Sequence, residues 1–149
     1  MITMKDEPEK FEYTTNLEWT SEKRGVLRAK GKPDIEVACP PEFGGHPGIW
    51  SPEDLFVGSV EVCMLTTFLW FVNKENVALK SYRSKISGTV ELVGGVFRFS
   101  SITVTMNIGI SYENDRNIIE KILKKVKRAC LISNSIQADV NIESVITVV

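Results

Sequence analysis

The stretch Ser51-Pro52-Glu53-Asp54-Leu55-Phe56-Val57-Gly58-Ser59-Val60-Glu61-Val62-Cys63-Met64-Leu65 decides how this chain folds. Ser51 can accept a hydrogen bond from the backbone near Asp54, and Pro52 suits a first helical position. Glu53 and Asp54 complement the positive end of the helix dipole. A helix therefore starts here. Its continuation through Phe68-Leu69-Trp70-Phe71-Val72 puts apolar side chains around most of the circumference. Such a helix is expected to be buried on all sides. A chain of 149 residues suits one domain with a real core. It has difficulty covering this helix alone, so a dimer that sandwiches it is expected.

Upstream, Phe11, Tyr13, Leu17 and Trp19 occupy odd positions with polar residues between them, the pattern of a strand with one wet face. Gly25 to Ala29 and Asp34 to Cys39 read as two shorter strands around the turn Lys30-Gly31-Lys32-Pro33. Pro40 to Pro47 is a loop. Downstream, Tyr82, Ile86, Val90 and Leu92 mark a strand that Gly94-Gly95 turns back as a hairpin. On the return strand the apolar parity flips near Ser100-Ser101, the signature of a bulge. A second helix is expected from about Asn114 to Leu131, with Ile119, Leu123, Val126 and Cys130 on one stripe. Ile136 to Val148 gives a last strand. The order βββ-α-ββ-α-β predicts an α+β fold with an antiparallel sheet around a buried central helix, one domain over 1–149 with residues 1–10 as a flexible lead.

The bulk numbers exclude several classes. Net charge is −1, so neither nucleic acid nor an anionic membrane is an expected partner. The basic run Lys121, Lys124, Lys125, Lys127, Arg128 reads as the wet face of an amphipathic helix. The N-terminus shows no apolar signal region, and the run Val62 to Val72, broken by Thr66 and Thr67, is short of the ~20 residues of a membrane span. Three cysteines, an odd number, argue against a structural disulfide framework, so reduced cytoplasmic thiols are expected. His46 is the sole histidine, which leaves no zinc site or Cys-His dyad by spacing. Cys63 has two readings from the residues alone: a small core hydrophobe, or a reactive thiol. Cys130 and Glu53 divide the same way, between core residue and resolving thiol, and between helix-start acid and site residue. Cys39 reads as a bystander. Met64, Phe68 and Phe71 are either core or the wall of an apolar pocket beside Cys63.

Ser51-Pro52-Glu53-Asp54-Leu55-Phe56 followed by Cys63 resembles the Asn-Pro-Glu-x-Leu block and reactive cysteine of the OsmC/Ohr family of organic hydroperoxide reductases. Arg128-Ala129-Cys130-x-x-Ser133 resembles the family's second-cysteine segment, with Leu131 where proline is common. Glu42-Phe43-Gly44-Gly45 resembles the loop before the helix. The resemblance implies an intertwined homodimer acting as a thiol peroxidase with no bound cofactor, fed by an organic hydroperoxide and regenerated by an external dithiol. Cys63 would be the peroxidatic thiol and Cys130 the resolving one, joined in a transient disulfide. Glu53 would belong to the polar network, and an arginine of the N-terminal strands, Arg24 or Arg28, would hold the thiolate. Neither arginine sits in the family's Gly-Gly-Arg setting, and Glu61 is unusual in so apolar a helix. The alternatives are the same fold as an apolar-ligand binding module with Cys63 inert, or a redox sensor using the same disulfide.

Two physical constraints bear on this expectation. Desolvation disfavours a thiolate, so a cation near Cys63 is expected, with Glu53 orienting it through a bidentate pair. Glu53 and Cys63 are ten positions apart, about 15 Å along a straight helix. They can share a site only if the helix breaks, with Gly58 the obvious place, or if Glu53 comes from a partner subunit.

Overall fold

A computed structural model describes residues 9–149; the expected flexible lead lies largely outside them. The described residues fall into two compact units, one ending at Pro52 and the other spanning Glu53–Val149.

The first unit is a three-stranded antiparallel sheet of β1 (Asn16–Ser21), β2 (Arg24–Arg28) and β3 (Ile35–Ala38) in sequential order. Phe11 and Tyr13 fall before β1, so the expected first strand is shorter than its alternation suggests. A 3-10 turn at Pro41–Phe43 ends at Gly44, whose φ of 74° is left-handed. Gly45 follows with its backbone pressed against Cys39: a Cβ there would overlap the Cys39 carbonyl group. The Glu42-Phe43-Gly44-Gly45 motif is thus a backbone requirement of this turn. The Gly45 and His46 amides return to the Pro40 and Cys39 carbonyls.

The second unit is built on α1 (Pro52–Lys74), β4 (Leu79–Val93), β5 (Val96–Ile110), α2 (Arg116–Ala129), α3 (Leu131–Asn134) and β6 (Asp139–Val148). Strands β4 and β5 are 15 residues each and turn at Gly94-Gly95, both with positive φ. The register slips where Thr89 faces Ser101 and Val90 faces Phe99, leaving Ser100 as the extra residue of the expected bulge. β6 departs from the antiparallel pattern and pairs parallel to β5, from Ser101↔Asp139 to Ile110↔Val148. A parallel pair needs a crossover of a dozen or more residues, which α2 and α3 supply.

The core of this unit is one cluster in which Val60, Met64, Phe68 and Val72 of α1 meet Ile102 to Ile110 of β5 and Ile119, Ile122, Leu123, Val126 and Cys130. The four α1 residues recur every fourth position, so they form one stripe. On other faces Val62 and Trp70 are 60% and 58% exposed, so the helix is not buried on all sides as expected. The helix runs unbroken through Gly58 for 23 residues. By length and hydropathy alone it would suffice to cross a membrane. The apolar stretch is longer than the run Val62 to Val72, because Leu55, Phe56 and Val57 extend it upstream. Its buried stripe is committed to the protein core.

Candidate functional site

Cys63 lies midway along α1, and Thr67 follows one turn later on the same side. The junction between α2 and α3 reaches this sulfur. A single helix from Asn114 to Leu131 is expected from the apolar stripe. The chain instead leaves the helix at Cys130, which is extended at φ −64° and ψ 109°, and restarts at Leu131. Asn134 Nδ2 donates to the Arg128 carbonyl at 2.8 Å and closes the end of α2. The break frees the first amides of α3, which have no partner within a helix.

Those amides go to Cys63. Burial of the Cys63 sulfur pushes its pKa up, but the Ile132 N–H, the Cys130 thiol, the Thr67 hydroxyl and the Leu131 N–H all donate to it. Together they outweigh burial and hold the pKa below the ordinary thiol value. Cys130 moves the opposite way. Burial raises its pKa, and the neighbouring Cys63 sulfur adds to the rise, while the Ser133 hydroxyl and N–H offset only part of it. The structure therefore brings Cys63 and Cys130 together as an acceptor and a donor of one hydrogen bond. The main contributions to the lowering at Cys63 are hydrogen bonds from uncharged groups. These backbone and side-chain donors, which the residue pattern did not reveal, favour the Cys63 thiolate.

This arrangement has a measurable consequence. A lowered pKa means that, as pH rises, Cys63 becomes thiolate earlier than a free thiol. Its alkylation rate by iodoacetamide should therefore reach its plateau at lower pH than that of a cysteine-containing peptide. Thr67→Val removes one donor and should shift the profile to higher pH. A profile that coincides with the free peptide, or that is unmoved in the variant, contradicts the assignment.

Glu53 lies in the first turn of the same unbroken helix, so within one protomer it stands about 15 Å along the axis from Cys63. Its Oε2 is buried without a hydrogen-bond partner. Glu61 accepts a 2.6 Å hydrogen bond from the Ser84 hydroxyl of β4, which accounts for a carboxylate in so apolar a helix. Met64 and Phe68 are fully buried, so they are core and not pocket wall; Phe71 is partly buried.

In the first unit, Arg28 is exposed and engaged by Glu18 at 2.8 Å and Asp34 at 3.1 Å. Arg24 differs. Its Nη2 lies 3.2 Å from His46 Nδ1, and its Nε is buried without a partner. With Arg24 as donor, Nδ1 accepts, and His46 Nε2 carries the proton toward Glu22 Oε2 at 3.4 Å. His46 thus positions Arg24. The Cys39 thiol donates to the Pro40 and Phe43 carbonyls in the turn. Among the described residues no three His, Cys, Asp or Glu side chains are grouped to hold a metal ion.

The sequence profile of the family described as OsmC-like protein matches residues 45–145, more than half of the chain. The chain belongs to the OsmC-like protein family. An OsmC-like protein of unknown function from Vibrio cholerae shares the fold at a TM-score of 0.84 and 17% identity, over 91% of this chain and all of that one. An organic hydroperoxide resistance protein from Elizabethkingia anophelis shares it at 0.69 and 20% identity, over 94% of this chain and 98% of that one. The uncharacterized protein YmaD of Bacillus subtilis is 21% identical over 110 residues, 72% of this chain and 73% of its own length. The α+β architecture expected from the sequence is that of these OsmC-like structures.

Proposed function

We propose that this OsmC-like protein is a cysteine-based peroxidase that reduces organic hydroperoxides. The observation that carries the reading is the Cys63–Cys130 hydrogen bond, in which the Cys63 pKa is held below the ordinary thiol value while that of Cys130 is raised above it. The Cys63 thiolate attacks the terminal oxygen of ROOH, the O–O bond breaks, and the alkoxide takes a proton to leave as ROH. Cys63 is left as a sulfenic acid. The Cys130 sulfur then attacks the Cys63 sulfur, expels the oxygen as water and forms a disulfide. An external dithiol returns both to thiols. Presence of an organic hydroperoxide resistance protein among the structural relatives supports this substrate class.

Arg24, not Arg28, is the cation we assign to the site. Its Nε is buried and unpartnered, whereas Arg28 is occupied by two carboxylates. Because α1 is unbroken, the Glu53 that serves a given Cys63 comes from a partner subunit. The exposed Val62 and Trp70 of α1 and the exposed Leu17 and Trp19 of β1 supply apolar surface for that homodimer. Sedimentation at micromolar concentration should therefore show a dimer; a folded, monodisperse monomer contradicts it.

The second reading, an apolar-ligand binding module, draws on a cavity of about 430 Å³ in the first unit, walled by Leu17, Trp19, Val37, Ala38 and Pro52. A coupled assay separates the two. With dithiothreitol as reductant, the peroxidase consumes cumene hydroperoxide over many turnovers. A trace no faster than dithiothreitol alone leaves the binding module.

A further inference from the structure

We infer that the thiol that regenerates the oxidised protein attacks the sulfur of Cys63 and expels that of Cys130. This rests on the peroxidase reading and concerns its reductive half.

The two sulfurs differ in access. Cys130 has no exposed surface, and what seals it is the core of its own unit, with Val126, Ile122 and Met64 in the same cluster. Dimer formation cannot uncover it. Cys63 is only partly buried. Thiol–disulfide exchange requires the nucleophile to reach one sulfur directly, so access is a condition and not a preference.

Leaving-group chemistry alone points the other way. Exchange favours expulsion of the thiol with the lower pKa, which is Cys63. Burial overrides that preference, because a reagent can touch Cys130 only after the packed core around it opens, and local opening of a packed segment costs part of the global stability. The Ser133 hydroxyl and N–H at the Cys130 sulfur also favour its departure as thiolate.

The step balances as follows. An external thiolate RS⁻ forms a bond to the Cys63 sulfur as the Cys63–Cys130 bond breaks, and the electron pair leaves on Cys130, which is then protonated. The product is a mixed disulfide between Cys63 and the reductant. The second thiol of a dithiol reductant attacks its own sulfur in that mixed disulfide and releases Cys63 as thiolate. Two electrons pass from the dithiol, which becomes a cyclic disulfide.

The test uses the whole protein, oxidised with diamide so that the disulfide is made without any hydroperoxide. β-Mercaptoethanol, a monothiol that cannot complete the second step, is added. Samples are quenched at short times in acid denaturant with N-ethylmaleimide and mapped as peptides. Extrapolated to zero time, the mercaptoethanol adduct should sit on Cys63 and the maleimide on Cys130, in at least ~10-fold excess over the reverse arrangement. Equal labelling, or the adduct on Cys130, overturns the inference. The peroxidase reading stands or falls separately, on whether an alkyl hydroperoxide forms the same disulfide. Failure of diamide to join the two thiols overturns both.

Discussion

Replacing Cys63 by serine is expected to reduce hydroperoxide consumption to the uncatalysed rate, while Cys130→Ser still permits one turnover and leaves a sulfenic acid that dimedone traps. The difference follows from the unequal roles of the two sulfurs. A serine hydroxyl is not ionised near neutral pH, so the donors at position 63 have no anion to hold and no nucleophile forms. Position 130 acts after the O–O bond has broken. Without it the sulfenic acid has no neighbouring thiol with which to condense, and turnover stops after one equivalent. Cys130→Ser keeps a hydroxyl that can donate to Cys63, so the onset of reactivity should move little, whereas Cys130→Ala removes that donor and should shift the onset to higher pH. Full turnover by Cys63→Ser contradicts the mechanism, as does sustained turnover by Cys130→Ser with no trapped intermediate.

The largest effect on stability is expected at Phe68. It is fully buried on α1 and packs against Tyr82 of β4 with ring centroids 5.3 Å apart. Truncation to alanine removes the aromatic surface and leaves a cavity between α1 and the sheet, so unfolding free energy should fall by about 3–5 kcal/mol. Against a typical total of about 5–15 kcal/mol this is a large share. Urea denaturation should show a lower midpoint, with Phe68→Leu falling by much less because it conserves most of the volume. A loss under about 1 kcal/mol for Phe68→Ala would mean that α1 is not the centre of the core. The same residue is outwardly similar to Trp70 two positions on, but Trp70 is 58% exposed in the protomer. Only the dimer would make it matter.

Much of the second unit was legible because its signals are local. Ser51, Pro52 and two acids mark the start of α1. Gly94-Gly95 marks the hairpin, and the parity change at Ser100 gives the bulge that the register shows. The stripe Ile119, Leu123, Val126 and Cys130 is buried as its spacing requires. What escaped has no side-chain signal. The strand pattern of β6 is the same whether it pairs parallel or antiparallel, since alternation carries no direction. The break at Cys130 has neither glycine nor proline, and the apolar stripe runs straight through it. The amides of Leu131 and Ile132 that hold Cys63 belong to the backbone, which every residue type supplies, so their role was invisible until the turn that aims them was seen. Only Asn134, which caps the Arg128 carbonyl, hinted at a helix end there. Arg24 and Arg28 are both strand residues, and it is burial and partners, not sequence, that set them apart.

The most direct test of the central claim is a single turnover read at the level of the three cysteines. Reduced protein is mixed with one equivalent of cumene hydroperoxide, quenched with N-ethylmaleimide and mapped by mass spectrometry. A Cys63–Cys130 linked peptide should form with one equivalent of cumyl alcohol, while Cys39 is recovered with maleimide attached. Recovery of all three cysteines as maleimide adducts, with the hydroperoxide intact, would contradict the account.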